Sequence, residues 1–162
     1  MRDDRKKEIA ELEITDFGLG NVEKFGLQIV TYVNTSRVCA KEIFLLPNQI
    51  CCEHRHPPIP SLSYPGKEET FRCRWGKAYL YVPGEPTKNP YGRDKIPAER
   101  LPYFTVWHEI VLNPGDQYTL APNTSHWFIS GEEGAVLSEF STTSYDEYDV
   151  FTDPNVSRDS RI

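Results

Sequence analysis

His54 and His56 stand one residue apart in Cys51-Cys52-Glu53-His54-Arg55-His56-Pro57-Pro58. On an extended chain alternate side chains leave the same face, so the two imidazoles project together from Cα atoms roughly 6 to 7 Å apart. Two imidazoles at that spacing can share one metal ion if other donors complete the shell. Glu68 and Glu69, in the next apolar run, point to opposite faces, and either offers a carboxylate; His126, ahead of Trp127 and Phe128, offers a further nitrogen. The chain has only four histidines, and three of them belong to this set. The fourth, His108 in Thr105-Val106-Trp107-His108-Glu109, reads as structural or as support for a ligand. Two other charges interrupt apolar runs: Lys41 in Cys39-Ala40-Lys41-Glu42-Ile43-Phe44 and Glu139 in Val136-Leu137-Ser138-Glu139-Phe140. A charge in such a place either faces solvent or serves a site. Lys67 and Arg74, which flank Glu69, read as solvated surface charge.

The elements that must position these groups are short strands. Prolines and glycines punctuate runs rich in Val, Ile, Leu, Phe, Tyr and Trp, which predicts strands over 28–34, 38–46, 49–56, 69–75, 77–82, 105–112, 117–120, 125–130 and 135–141. So many short strands suggest a sandwich or barrel. Leu46-Pro47-Asn48-Gln49 and Leu112-Asn113-Pro114-Gly115-Asp116 are turns, the second with Pro and Gly placed for type II geometry. Each precedes a run that ends in histidine. The one good helix signal covers residues 2–12, and 99–103 adds at most a turn. Residues 83–102 are polar and proline-rich, too long for a tight hairpin, and read as an ordered excursion beside a barrel mouth.

Composition narrows the chemistry. The 162 residues are 38% hydrophobic and 26% charged, the balance of one globular domain. The net charge of -6 leaves no basic stripe for a nucleic-acid backbone. No apolar run approaches the ~18 residues needed to cross a bilayer, and the charged start lacks the apolar core of a secretory signal. A cytoplasmic protein with a neutral small-molecule substrate is expected, with no nucleic-acid or membrane partner. Cys39, Cys51, Cys52 and Cys73 show no paired metal spacing and read as reduced, buried, small apolar residues.

His54-x-His56 followed by Glu69-x6-Gly76 resembles the first cupin motif, with Pro57–Gly66 lengthening its loop. Leu112-Asn113-Pro114-Gly115-Asp116 with Ala121-Pro122-Asn123-Thr124-Ser125-His126 resembles the second, in which Gly usually stands where this chain has Asn123. Asn tolerates left-handed backbone, so the departure is mild. Within cupins, Glu53-His54-Arg55-His56-Pro57, Gly66-Lys67-Glu68-Glu69-Thr70-Phe71, His126-Trp127-Phe128 and Glu139-Phe140-Ser141-Thr142 resemble the D-lyxose isomerases over about residues 28–158.

That resemblance implies an all-β cupin, a jelly-roll barrel with a short N-terminal helix. It implies a single domain over 1–162 with its barrel core at about 28–141 and residues 142–162 as a tail packed on the barrel. The implied ligands are His54, His56, Glu69 and His126, the spacing to Gly76 selecting Glu69 over Glu68. Mn²⁺ is the implied ion, and the mixed N/O donor set would also suit Zn²⁺, Co²⁺, Fe²⁺ or Ni²⁺. The implied reaction interconverts D-lyxose with D-xylulose and D-mannose with D-fructose, in a homodimer that pairs through edge strands. Glu139 is then the base near C1 and C2, unless the hydrogen travels as a hydride, and Lys41 is a partner for sugar oxygens. Asp149 shuttles a hydroxyl proton or helps open the ring. The competing readings are a cupin phosphosugar isomerase, an Fe(II) cupin dioxygenase and a non-enzymatic sugar-binding cupin. Phosphate recognition wants a cationic cluster that an acidic chain lacks, and a polar trio of Lys41, Glu139 and Asp149 suits a polyol better than an apolar oxygen pocket.

Overall fold

In the computed structural model, which describes residues 9–158, the alternation of apolar and polar residues becomes one curled antiparallel sheet of nine strands. In chain order these are β1 (Glu11–Thr15), β2 (Leu27–Asn34), β3 (Cys39–Leu45), β4 (Ile50–Arg55), β5 (Glu69–Val82), β6 (His108–Leu112), β7 (Gln117–Leu120), β8 (His126–Ser141) and β9 (Val150–Phe151). Only single turns of 3-10 helix interrupt them, among the described residues, including Arg93–Lys95 and Leu101–Tyr103.

β8 is the spine. Its second half pairs with β3 on one side and with the first half of β5 on the other. Its first half pairs with β4 and with the second half of β5. Strands expected as two pairs, 69–75 with 77–82 and 125–130 with 135–141, are thus two long bent strands. The bends fall at register shifts around Cys73–Trp75 and Gly76–Ala78. They are sharp because Gly76 and Gly134 both take positive φ, 69° and 91°, and cross so closely that a Cβ on Gly76 would overlap the Gly134 carbonyl oxygen. This close approach is the physical reason for glycine at the end of the Glu69-x6-Gly76 spacing.

The expected N-terminal helix is not present where the chain is described. Residues 11–15 form β1, whose Leu12 and Ile14 sit opposite Val30 and Gln28 of β2; residues 2–8 of that expectation lie outside the described residues. Leu12 and Ile14 alternate with Glu11 and Glu13 at period two, a strand pattern that the density of charge obscured. Both turns form as read: Gln49 N–H donates to Leu46 C=O at 3.0 Å, and Asp116 N–H to Asn113 C=O at 2.9 Å. Asn48 and Gly115 take the left-handed positions, with φ of 56° and 97°. Asn123 is left-handed too, at 62°, the conformation that suits glycine, which the motif it resembles has at this position.

Phe71, Leu80, Phe128, Ile43 and Leu137 fill the interior, and all four cysteines are buried and free. Residues 83–102 pack against one flank of the sheet: Gly92 N–H donates to Tyr81 Oη at 2.7 Å, and Tyr81 stacks on Trp127 with centroids 3.8 Å apart. The chain beyond β8 returns over the barrel, where Thr152 N–H donates to Glu53 C=O at 3.0 Å and Ser157 N–H to Phe17 C=O at 2.9 Å.

Candidate metal centre and active site

The sheet register brings the histidines together. His54 on β4 lies directly opposite His126 at the start of β8, and His56 follows just past the end of β4. Glu69 opens β5, opposite Ser141 of β8. The three imidazoles offer nitrogens that all lie within 4.8 Å of one another, and all three residues are buried. Glu69 Oε1 reaches into the same space, 3.3 Å from His56 Nε2 and 3.2 Å from His126 Nε2. Glu68 is exposed while Glu69 is buried, so strand alternation turns Glu69, and not Glu68, toward the histidines.

Each imidazole is aimed by an acceptor on its far nitrogen. His54 Nδ1 donates to the Cys52 carbonyl at 2.8 Å and His126 Nδ1 to the Thr124 carbonyl at 2.9 Å. His56 Nδ1 donates to the Asp149 carboxylate. Because carbonyl and carboxylate oxygens only accept, the proton sits on Nδ1 and the Nε2 lone pair is free to face inward. Among the described residues, the buried His56 Nε2 and His126 Nε2 have no hydrogen-bond partner. Orphaned, inward-facing nitrogens beside a carboxylate fit a divalent metal ion. Electrostatics favour neutral donors at two positions: burial, and then the neighbouring histidines, holds His54 low, and burial holds His126 low. Burial also disfavours charge on His56, but the Glu69 and Asp149 carboxylates outweigh it and raise its pKa.

Bordering this cluster is a partly open cavity whose polar walls include Lys41, Lys67, Glu139 and Arg158. Glu139 on β8 stands opposite Lys41 of β3 and Phe71 of β5, and its Oε1 accepts from Lys67 Nζ at 2.9 Å and Ser141 Oγ at 3.2 Å. Burial would raise the Glu139 pKa, but Lys67 and Lys41 outweigh it and keep the group ionised below its ordinary range. Lys41 Nζ donates to Ser144 Oγ at 3.1 Å and to Asp146 Oδ2 at 2.8 Å.

Lys67 is not the surface charge expected from the sequence. It is 4% exposed and bridges Glu69 Oε2, at 2.8 Å, to Glu139. Two residues before Glu69, it shares that residue's face of the extended chain, a period-two relation already readable in the sequence. Arg74 is exposed, as expected. Asp149 does not line the cavity; besides His56 it accepts from Arg158 Nη1 at 3.0 Å. Asp146 and Arg158, neither singled out in the sequence, complete the network. Arg158 also reaches Asp146 at 3.2 Å and Glu13 at 3.3 Å. No local pattern announces them, because their partners come from distant parts of the chain. His108 is apart from the cluster, its Nδ1 donating to the Glu85 carbonyl at 3.0 Å.

No family model matches the chain. Among curated proteins it is 64% identical over 155 residues to a D-lyxose ketol-isomerase of Thermofilum sp. (strain ex4484_79), a match spanning 96% of this chain and 83% of the relative. It is 59% identical over 152 residues to a D-lyxose/D-mannose isomerase of Thermosediminibacter oceani, spanning 94% of this chain and 82% of the relative. Among solved structures, Cellulomonas parahominis L-ribose isomerase with L-ribose superposes with a TM-score of 0.67 at 16% identity, over 84% of this chain and 74% of that one. At that identity the likeness shows the fold, a cupin barrel.

Proposed function

This chain belongs to the D-lyxose ketol-isomerase family, and from that premise we propose that it interconverts D-lyxose with D-xylulose, and D-mannose with D-fructose, in the cavity beside its histidine cluster. One observation carries the reading: a buried carboxylate, Glu139, is kept ionised by two lysines in the same cavity that the histidines and Glu69 border. His54, His56, Glu69 and His126 would hold a divalent ion, Mn²⁺ in this reading, though the donors also suit Zn²⁺, Co²⁺, Fe²⁺ or Ni²⁺. Such an ion supplies Lewis acidity toward the carbonyl and hydroxyl oxygens on C1 and C2.

The chain's own residues supply the proton transfers. Glu139 takes the proton from C2 of the aldose while the C–H electron pair becomes the C1–C2 double bond and the carbonyl π pair moves to O1, which gains a proton to complete the cis-enediol; the Glu139 carboxyl then returns its proton to C1 as O2 gives up its own and becomes the ketose carbonyl, so that one hydroxyl proton passes overall from O2 to O1 through solvent. Lys67 steadies both carboxylates through this cycle, since it touches Glu69 and Glu139 alike. Lys41, anchored by Ser144 and Asp146, presents its ammonium to the sugar hydroxyls. Asp149 acts through His56, whose ring it orients, and not on the sugar itself. Every cation lining the cavity, Lys41, Lys67 and Arg158, already pairs with a carboxylate, so none is spare for a phosphate. This favours a free sugar over a sugar phosphate.

We further propose a cytoplasmic homodimer, the assembly that the resemblance of its motifs to the D-lyxose isomerases implies. Separately, no helix among the described residues is long and apolar enough to cross a membrane. The test is to incubate metal-stripped protein, with and without Mn²⁺, with D-lyxose, D-mannose and mannose 6-phosphate, and to assay ketose. Ketose from the two free sugars only when Mn²⁺ is restored is expected. No ketose from any sugar would overturn the reading.

A further inference from the structure

We propose that Arg158 is a positioning residue of the site, one guanidinium that sets both the metal ligand His56 and the sugar-facing Lys41 by holding Asp149 and Asp146. The placement begins with local geometry. Between β8 and β9 the chain makes a single 3-10 turn, Asp146–Tyr148, and Asp149 N–H donates to the Asp146 carbonyl at 3.2 Å. Side chains three residues apart on such a turn eclipse one another, so Asp146 and Asp149 present their carboxylates on one side. Arg158, beyond β9, meets them with its planar fork: Nη1 donates to Asp149 Oδ2 at 3.0 Å and Nη2 to Asp146 Oδ2 at 3.2 Å.

The remaining contacts of both carboxylates go to the site. Asp149 Oδ1 accepts from His56 Nδ1. Asp146 Oδ2 also accepts from Lys41 Nζ at 2.8 Å, and its Oδ1 accepts from Ser144 Oγ, which in turn accepts from Lys41. A residue that only fastened the end of the chain would need none of this; the pairing of Arg158 Nε with Glu13 of β1, at 3.3 Å, does that by itself. The side chains of Arg158 and Asp149 are 14% and 2% exposed, so their charge-assisted bond is shielded from water and directional. Without the guanidinium, Asp149 loses the contact that fixes its rotation, and the His56 ring loses its fixed support. Asp146 likewise keeps only Lys41 and Ser144, and the Lys41 ammonium is held less tightly. The metal half of this inference stands on the histidine cluster alone; the sugar half rests on the isomerase reading.

The experiment compares the wild type with Arg158→Met, Glu13→Gln, Asp149→Asn, Asp146→Asn and the two doubles that join Arg158→Met to each aspartate change. It reads Mn²⁺ affinity by chelator competition on metal-stripped protein, KM and kcat for D-lyxose at saturating Mn²⁺, and thermal unfolding. Arg158→Met should weaken Mn²⁺ binding by about 10-fold, as for a lost support of a ligand. It should raise KM by about 10-fold, as for one loosened charged contact. The kcat should move far less, because Glu139 is held by Lys67 and Ser141. Glu13→Gln, which cuts only the third contact of Arg158, should lower the melting temperature and leave Mn²⁺ affinity and KM as in the wild type. On the Asp149→Asn background, Arg158→Met should still raise KM but cost almost no further Mn²⁺ affinity; on the Asp146→Asn background the pattern should reverse. If Arg158→Met does not fold, Arg158→Lys, whose single ammonium lacks the fork to bridge two carboxylates, takes its place in every measurement. An effect on neither readout or on one alone, equal losses from Glu13→Gln, or losses that simply add in the doubles would overturn the proposal. A wild type that makes no ketose would overturn the sugar half together with the isomerase reading, and the Mn²⁺ affinities would then decide the metal half.

Discussion

The three imidazoles are aimed by different means: a backbone carbonyl holds His54 and His126, while a carboxylate, Asp149, holds His56. Backbone anchors survive any substitution, so Asp149 is the one anchor that mutation can remove cleanly. Asp149→Asn keeps the shape and loses the charge, and metal affinity measured by chelator competition should fall by about 10- to 100-fold, the usual cost of losing such a support. Lys67 permits a second test, on pH. Its ammonium lowers the Glu139 pKa, so Lys67→Met should raise that pKa and protonate the base over a wider range. Turnover at pH 6 relative to pH 8 should drop in the variant; an unchanged acid limb would show that Lys67 does not govern Glu139. The sequence displayed the histidines, Glu69, Lys41 and Glu139 because each sits conspicuously in an apolar run. It hid the burial of Lys67, since a lysine beside two glutamates looks like ordinary surface unless strand parity is applied to it.

At the level of elements, the strands were legible from their apolar alternation, and the two turns from Pro, Asn and Gly at fixed offsets. What local pattern could not show is that four of those strands are two, because the bends depend on β5 and β8 crossing at Gly76 and Gly134. Gly76→Ala should therefore cost well over the ~1–2 kcal/mol of placing a non-glycine residue in left-handed backbone, since its Cβ would also meet backbone atoms. Gly115→Ala, also at positive φ but with open space around it, should cost less; comparable losses of thermal stability would contradict this account of the bends. β1 escaped notice for a different reason: as an edge strand it carries charge on alternate residues, and charge density resembles a helix signal.

Across the whole molecule, the chain after β8 closes the fold by long-range polar contacts, invisible to any local reading. Arg158 joins Asp149, Asp146 and Glu13, so His56, Lys41 and β1 are tied to one guanidinium. Burial would raise the Asp146 pKa, but Arg158 and Lys41 outweigh it and hold the carboxyl well below the usual range. A group depressed on folding contributes stability that is fully present above its unfolded pKa, near 4, and is lost as pH falls through the folded value. The difference in melting temperature between the wild type and Asp146→Asn should accordingly stay constant above about pH 5 and narrow as the pH is lowered toward 3; a difference that widens would contradict the ion-pair account. The most direct test of the central claim is Glu139→Gln, assayed with D-lyxose in deuterated water for ketose formation and for deuterium at C1, with bound metal measured on the same sample. The account predicts unchanged metal content and turnover lower by at least the ~10²–10⁴ typical of a lost general base, with any deuterium found at C1 of the wild-type product marking exchange on the Glu139 carboxyl between the two transfers. Turnover within tenfold of wild type at unchanged metal content would contradict it.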